Sequence, residues 1–395
     1  MSADGRSVYV AGQTSLAAFA RRPGGVLRQL SGRSGCIDYH VIVGEPRANA
    51  RCGSGKLLWP TSLALSPDGR NLYLASWAFD PHGDRSDNYS DLAVFVRDRT
   101  TGALRQLSCL GPSTRGGCTA GRALYGPESV VVSPDGRNVY VGSDGGLAVF
   151  ARDARSGALR QPSGSAGALR QPGIAALAVS ADGRNVYAVT SSNDREALLV
   201  FRRNGTSGAL TKVGCVANPA LKAKGCTAAA SFVGPWFCYS LALSPNGRSL
   251  YVGSCGDLTV FSRNAAGGLT QTGCIDASGP PGHPCAGDTG TEPQTSIALS
   301  RDGRNLYFAF NIGRKAQPGG ITVFARAASG SLTRLGGAAG CFTETGSHGA
   351  CTKARGLENP HALALSPDDR NLYSSGFVGR ECCRDGDVGI FRRTP

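Results

Sequence analysis

With 395 residues, 56 of them Gly and 18% charged, the chain has enough apolar sequence to bury a core and too little low-complexity sequence to be disordered. Its formal net charge of +14 is mostly Arg dispersed along the chain, with no basic run interleaved with aromatics, which argues against a nucleic-acid partner. No apolar run approaches the roughly 18 residues a membrane-spanning helix needs, and the first residues carry no signal-peptide pattern.

In chain order, a Ser-x-Asp/Asn-x-Arg turn recurs at 2–6, 66–70, 133–137, 180–184, 244–248, 300–304 and 366–370, each with a Tyr three residues beyond its Arg. Around the second copy, Leu63-Ala64-Leu65 precedes the turn and Asn71 to Ala75 follows it. Two β-prone runs flanking Asp-Gly read as a hairpin, because Asp bonds its own backbone and Gly supplies positive φ. A third run, Leu92 to Arg97, has a Val-Phe pair that recurs at Val149, Val200, Val260 and Val323, with Ala18-Phe19 and Ile390-Phe391 as variants. A fourth begins at Gly102 and is echoed at Gly25, Gly157, Gly208, Gly267 and Gly330. This pattern predicts one all-β domain over 1–395, a seven-bladed β-propeller of four-stranded antiparallel blades. The first blade lacks its innermost strand and the last its outermost, so a longer precursor is expected to supply a closing strand and an export signal.

Ten cysteines bracket five inter-repeat loops: Cys36/Cys52, Cys109/Cys118, Cys215/Cys226, Cys274/Cys285 and Cys341/Cys351. The repeat with the shortest loop has no pair, so cysteine tracks the loop, and five local disulfides are expected. Hairpin register sets Cys238 opposite Cys255, which predicts a sixth, while Cys382 and Cys383 are left over. So much pairing implies an oxidising, extracytoplasmic compartment. With scattered His and no C-x₂-C pair, no metal or cofactor is expected. The chain is read as a monomer.

Candidate chemistry lies just upstream of each turn. Residues two before each inner-strand Leu, Val or Ile form a column: Thr61, Glu128, Ala175, Tyr239, Thr295 and His361. Glu128 and His361 break the repeat with ionisable groups and are the candidate catalytic pair. A second column contributes Lys56, Arg122 and Arg355, which would hold an anionic small molecule at a channel mouth. Trp59, Trp236 and Tyr239 near the same mouth would stack on a flat ligand or pack between blades.

The S-P-D-G-R-N-[LV]-Y-V unit, the [LA]-x-V-F-x-R-[DN] strand and the following T-G-A-L together resemble the seven-bladed propeller lactonase family, over nearly the whole chain. That family includes 6-phosphogluconolactonases and carboxymuconate-cyclising enzymes. Glu358-Asn359-Pro360-His361 is similar to the Pro-His entry seen there. The resemblance implies the seven-bladed fold, and lactone hydrolysis or cycloisomerisation as an activity. Two readings stay open at this point: a scaffold that binds a ligand or protein through its loop face, and a lactone hydrolase or cycloisomerase at the channel mouth.

Overall fold

The computed structural model describes residues 1–12, 14–39, 52–55, 59–77, 90–114, 117–190, 196–217, 225–229, 239–254, 257–276, 296–310, 319–357, 359–378 and 385–393. The fold is an all-β seven-bladed propeller, with seven sheets and only short 3-10 turns besides them among the described residues. Two compact units divide the chain, Met1–Val179 with Arg203–Thr211, and Ser180–Arg202 with Lys212–Pro395.

Each repeat is built around its hairpin. In repeat 2, the inner strand Pro60–Leu65 pairs antiparallel with the second strand Asn71–Ser76, which pairs with the third, Asp91–Arg97, and that with the outer, Leu104–Gly111. The turn forms as its residue types dictate. Ser66 Oγ donates to Asp68 Oδ1 and accepts from Asn71 N–H, Asp68 Oδ1 also accepts from Arg70 N–H, and Gly69 takes φ +67. In repeats 2 to 5 the second strand is buried along its whole length and the third along most of it, because neighbouring sheets pack on either side. Among the described residues, the first unit holds apolar clusters around Phe150 and Phe95, and the second around Phe308 and Phe391.

Blades depart from four strands, ranging from three to six. Where a disulfide closes the loop, a short strand returns parallel to the outer one: Gly53–Gly55, Thr119–Ala120, Thr227–Ala228 and Thr352–Lys353. The bridges Cys36–Cys52, Cys109–Cys118, Cys215–Cys226 and Cys341–Cys351 hold these returns at Cα separations of 4.7–4.9 Å. Cys274 is disulfide-bonded as well. Cys285, Cys238, Cys255, Cys382 and Cys383 lie outside the described residues. The first sheet starts at Ser7–Ala11, a strand of the second type, and the seventh ends at its third strand, Asp385–Arg392.

Adjacent repeats are tied by a clamp. In repeats 2 to 5 the Arg closing the third strand buries its guanidinium against the preceding repeat, where Nε donates to the repeat Tyr hydroxyl and Nη2 pairs with the turn Asp. Arg97 meets Tyr9 and Asp4, Arg152 meets Tyr73 and Asp68, and Arg203 meets Tyr140 and Asp135. In the second unit, Arg263 meets Tyr187 and Asp182, and Arg393 meets Asp302. Repeat 5 is the exception, since its turn carries Asn246. There Arg326 reaches the Tyr251 hydroxyl at 2.6 Å but bonds Ser249 Oγ at 3.2 Å in place of a carboxylate. Asn246→Asp is expected to restore the ion pair and raise stability by up to about 1 kcal/mol, because the pair is partly solvated. A urea midpoint unchanged from the parent would contradict this.

Candidate functional site

The inner-strand column owes its special geometry to proline. In repeats 2 and 3 the inner strand opens with Pro60 or Pro127 and in repeat 7 Pro360 is its second residue; proline cannot donate to the ladder, and the register slips at the next residue. Pro127 pairs with Ser143 and Ser129 with Gly142, so Glu128 is left out of the ladder; Thr61 and His361 are left out in the same way. Such bulges re-aim a side chain. Three of the six column residues are therefore turned out of register by the backbone.

Their environments differ. Thr61 is used internally, its hydroxyl facing the carbonyls of Pro127 at 2.6 Å and Ala75 at 3.3 Å. Glu128 is mostly buried, and burial followed by the neighbouring Asp144 pushes its carboxyl up to about 7. Burial also raises Asp144. Asp144 packs on Gly126, where a side chain would sit 2.6 Å from its Oδ2 and 3.3 Å from Trp77 Nε1. Gly126 takes φ +58 and accepts a hydrogen bond from Asp144 N–H through its carbonyl. Glu128, Asp144 and the Trp77 indole thus surround the Gly126-Pro127 corner of the first unit, and no cation contributes to the Glu128 shift.

Asp144 is the functional candidate that column reasoning missed. It lies six residues after the one that opens the second strand; the same place in repeats 2 and 4 to 7 holds Trp77, Ser191, Cys255, Asn311 and Phe377, so an acid there is as anomalous as Glu128.

In the second unit, burial lowers the His361 imidazole to about 4, which keeps it neutral near pH 7. Tyr239 is 8% exposed, and its hydroxyl is raised first by burial and then by the charge and hydrogen bond of Glu196. Glu196 is itself buried.

Of the remaining aromatic and basic candidates, Trp59, Arg122 and Arg355 fall among the described residues. Trp59 is 44% exposed and holds φ +53, a conformation that Gly126 occupies at the same place in repeat 3. For a bulky residue that is unusual, and its carbonyl accepts from Trp77 N–H at 3.0 Å. Arg122 donates through its guanidinium to the carbonyls of Pro162 and Gly164 and exchanges backbone bonds with the Gln161 amide, so it braces the loop of the next repeat. Arg355 lines a groove beside the third strand of repeat 7. Lys56, Trp236 and Thr295 lie outside the described residues. No group of three or more His, Cys, Asp or Glu arranged for a metal occurs among the described residues.

A family model described as Lactonase, 7-bladed beta-propeller matches residues 88–229. No curated protein matches the chain. Among solved structures, one from Bacteroides uniformis assigned as a 6-phosphogluconolactonase is 20% identical at TM-score 0.60, covering 96% of this chain and 88% of its own. A counterpart from Bacteroides fragilis, with the same assignment, is 19% identical at TM-score 0.60, covering 98% and 89%. The periplasmic gluconolactonase of Pseudomonas aeruginosa is 22% identical at TM-score 0.54, covering 83% and 81%. At such identities the structural likeness speaks for the fold. By its repeat motifs, this family match and its fold, the chain is a seven-bladed propeller that resembles the lactonases.

Proposed function

We propose that the chain hydrolyses a lactone, with Glu128 as the general base that activates water and Asp144 as the group that tunes it. The observation that carries the proposal is a carboxyl set out of its strand ladder by a bulge and held at about 7. A base poised near neutrality combines the ionised form with enough basicity to take a proton from attacking water. The family match and the names of the similar structures support lactone chemistry specifically.

Two acid groups at one corner repel anions, and Arg122 is engaged with backbone carbonyls. The reading therefore favours an uncharged lactone over a phosphorylated or carboxylated one. The disulfides support work in an oxidising, extracytoplasmic compartment.

The test is ring opening followed by pH-stat, above the spontaneous rate, for glucono-δ-lactone, 6-phosphogluconolactone and a muconolactone. Turnover of the uncharged lactone is expected. Absence of turnover on all three would sink the enzymatic reading and leave a binding role.

A further inference from the structure

In the turns of repeats 1 to 4 the two oxygens of the Asp have separate tasks. Oδ1 accepts from the turn Ser hydroxyl and from the N–H two residues on. Oδ2 is left to face the clamp Arg, 2.7–3.0 Å from its Nη2. The repeat 5 turn keeps this geometry with an amide. Asn246 Oδ1 accepts from Ser244 Oγ at 2.7 Å and from Arg248 N–H at 3.1 Å. The second bond fixes the amide orientation, because a backbone N–H can donate only to the oxygen. Nδ2, a donor, therefore takes the place that Oδ2 holds elsewhere.

The backbone around the seam is unchanged. A side chain on Gly303 would sit 3.6 Å from Arg326 Nη1 and 3.7 Å from Pro245 Cδ; on Gly136 it would sit 3.4 Å from Arg152 Nη1 and 3.7 Å from Pro67 Cδ. Only the acceptors differ. Arg152 Nη2 meets Asp68 Oδ2 at 2.8 Å and Asn71 Oδ1 at 2.7 Å, whereas Arg326 Nη2 has Ser249 Oγ at 3.2 Å. Two donors, one of them charged, thus share the place where the other clamps set a carboxylate against the Arg.

An independent observation shows that this seam has no substitute tie. On the inner strands, Ser62, Ser129 and Ser296 accept the N–H of Val130, Leu177 and Leu363 on the next inner strand, at 3.0–3.1 Å. Ser240 holds the same place in repeat 5, and its Oγ is buried without a hydrogen-bond partner. The seam between repeats 5 and 6 therefore lacks the inner-strand tie as well as the ion pair.

We propose that Asn246 Nδ2 and Arg326 Nη2 form a binding site for a small monovalent anion of the chloride class, which supplies the negative charge that Asp supplies at the other clamps and locks repeats 5 and 6 together. The guanidinium gives the ion a charge-assisted bond and the amide adds a neutral one. Chloride suits the place, since at the other clamps a single atom, Oδ2, meets Nη2. The ion pairs of this clamp type are partly solvated, so a millimolar affinity is expected.

The test is urea unfolding of the full chain at fixed ionic strength, with sodium chloride replacing sodium isethionate so that screening stays constant. The parent midpoint should rise saturably, the folding constant gaining about tenfold at ten times the dissociation constant. Amide exchange in 249–254 and 320–326 should slow in step. Asn246→Asp carries the residue type of every other turn, so it should fold, start above the parent without chloride and lose the chloride response. Ser249→Asn adds an acceptor without a charge and should keep the response. Crystals grown in bromide should show an ion touching both Nδ2 and Nη2. A parent midpoint indifferent to chloride would overturn the proposal, as would a response that survives Asn246→Asp or bromide bound only elsewhere.

Discussion

Glu128→Gln is expected to cut kcat for lactone opening at least about 100-fold while stabilising the protein, because the amide keeps the shape but cannot take a proton. The sign on stability follows from the raised carboxyl. Its ordinary value is 4.5 and its folded value about 7, so the folded protein favours the protonated form. The stability that protonated Glu128 contributes is fully present below 4.5 and is lost as pH rises through 7. Parent and variant should therefore be alike near pH 4 and diverge by on the order of 2–3 kcal/mol at pH 8, in favour of the variant. Parent activity should rise with pH through about 7. Asp144→Asn removes one of the two causes of the elevation, so it should move that midpoint down while keeping turnover. An activity loss in Glu128→Gln accompanied by lower stability at pH 8 would identify Glu128 as a structural group and not the base.

Arg152→Ala should cost about 3–5 kcal/mol, the scale for removing one partner of a buried ion pair. The side chain is 1% exposed and makes bonds to Tyr73 Oη, Gly136 O, Asn71 Oδ1 and both oxygens of Asp68. Lysine cannot rescue it, since one ammonium cannot satisfy acceptors spread around a planar fork. Arg137→Ala, which removes an exposed turn side chain, should stay within about 0.5 kcal/mol of the parent. Equal urea midpoints for the two alanine variants would refute the clamp as the tie between repeats. Burial works against ionised Asp68, but the Ser66 hydroxyl, Arg152 and the Arg70 N–H outweigh it and hold the carboxyl below its usual 3.8. Its contribution is thus present above 3.8 and lost as pH falls through the lower folded value, so acid should weaken the parent more than Arg152→Ala.

The repeats were legible because Ser66-Pro67-Asp68-Gly69-Arg70 and its copies specify a turn locally, residue by residue. The stapled loops were legible because cysteine appears and vanishes with them. The clamp was not, since Arg97 or Arg152 closing a strand reads as an ordinary surface cation, and the turn Asp it pairs with lies more than 80 residues earlier. Glu128 and His361 stood out as breaks in a column, but the bulge that turns them needs the register of a neighbouring strand. Asp144 hid in a short Gly-rich turn, and its effect on Glu128 depends on packing against Gly126. The use of Arg122 was hidden for a related reason: a column fixes where a backbone sits, whereas a long Arg side chain goes where carbonyls are available.

The direction of the clamp has a consequence during synthesis. Arg97, Arg152, Arg203, Arg263 and Arg393 each reach back to a turn made earlier, between 68 and 93 residues upstream. At roughly 5–20 residues per second, a finished hairpin on the ribosome waits several seconds, its Asp and Tyr unlatched, until the next repeat emerges to lock it.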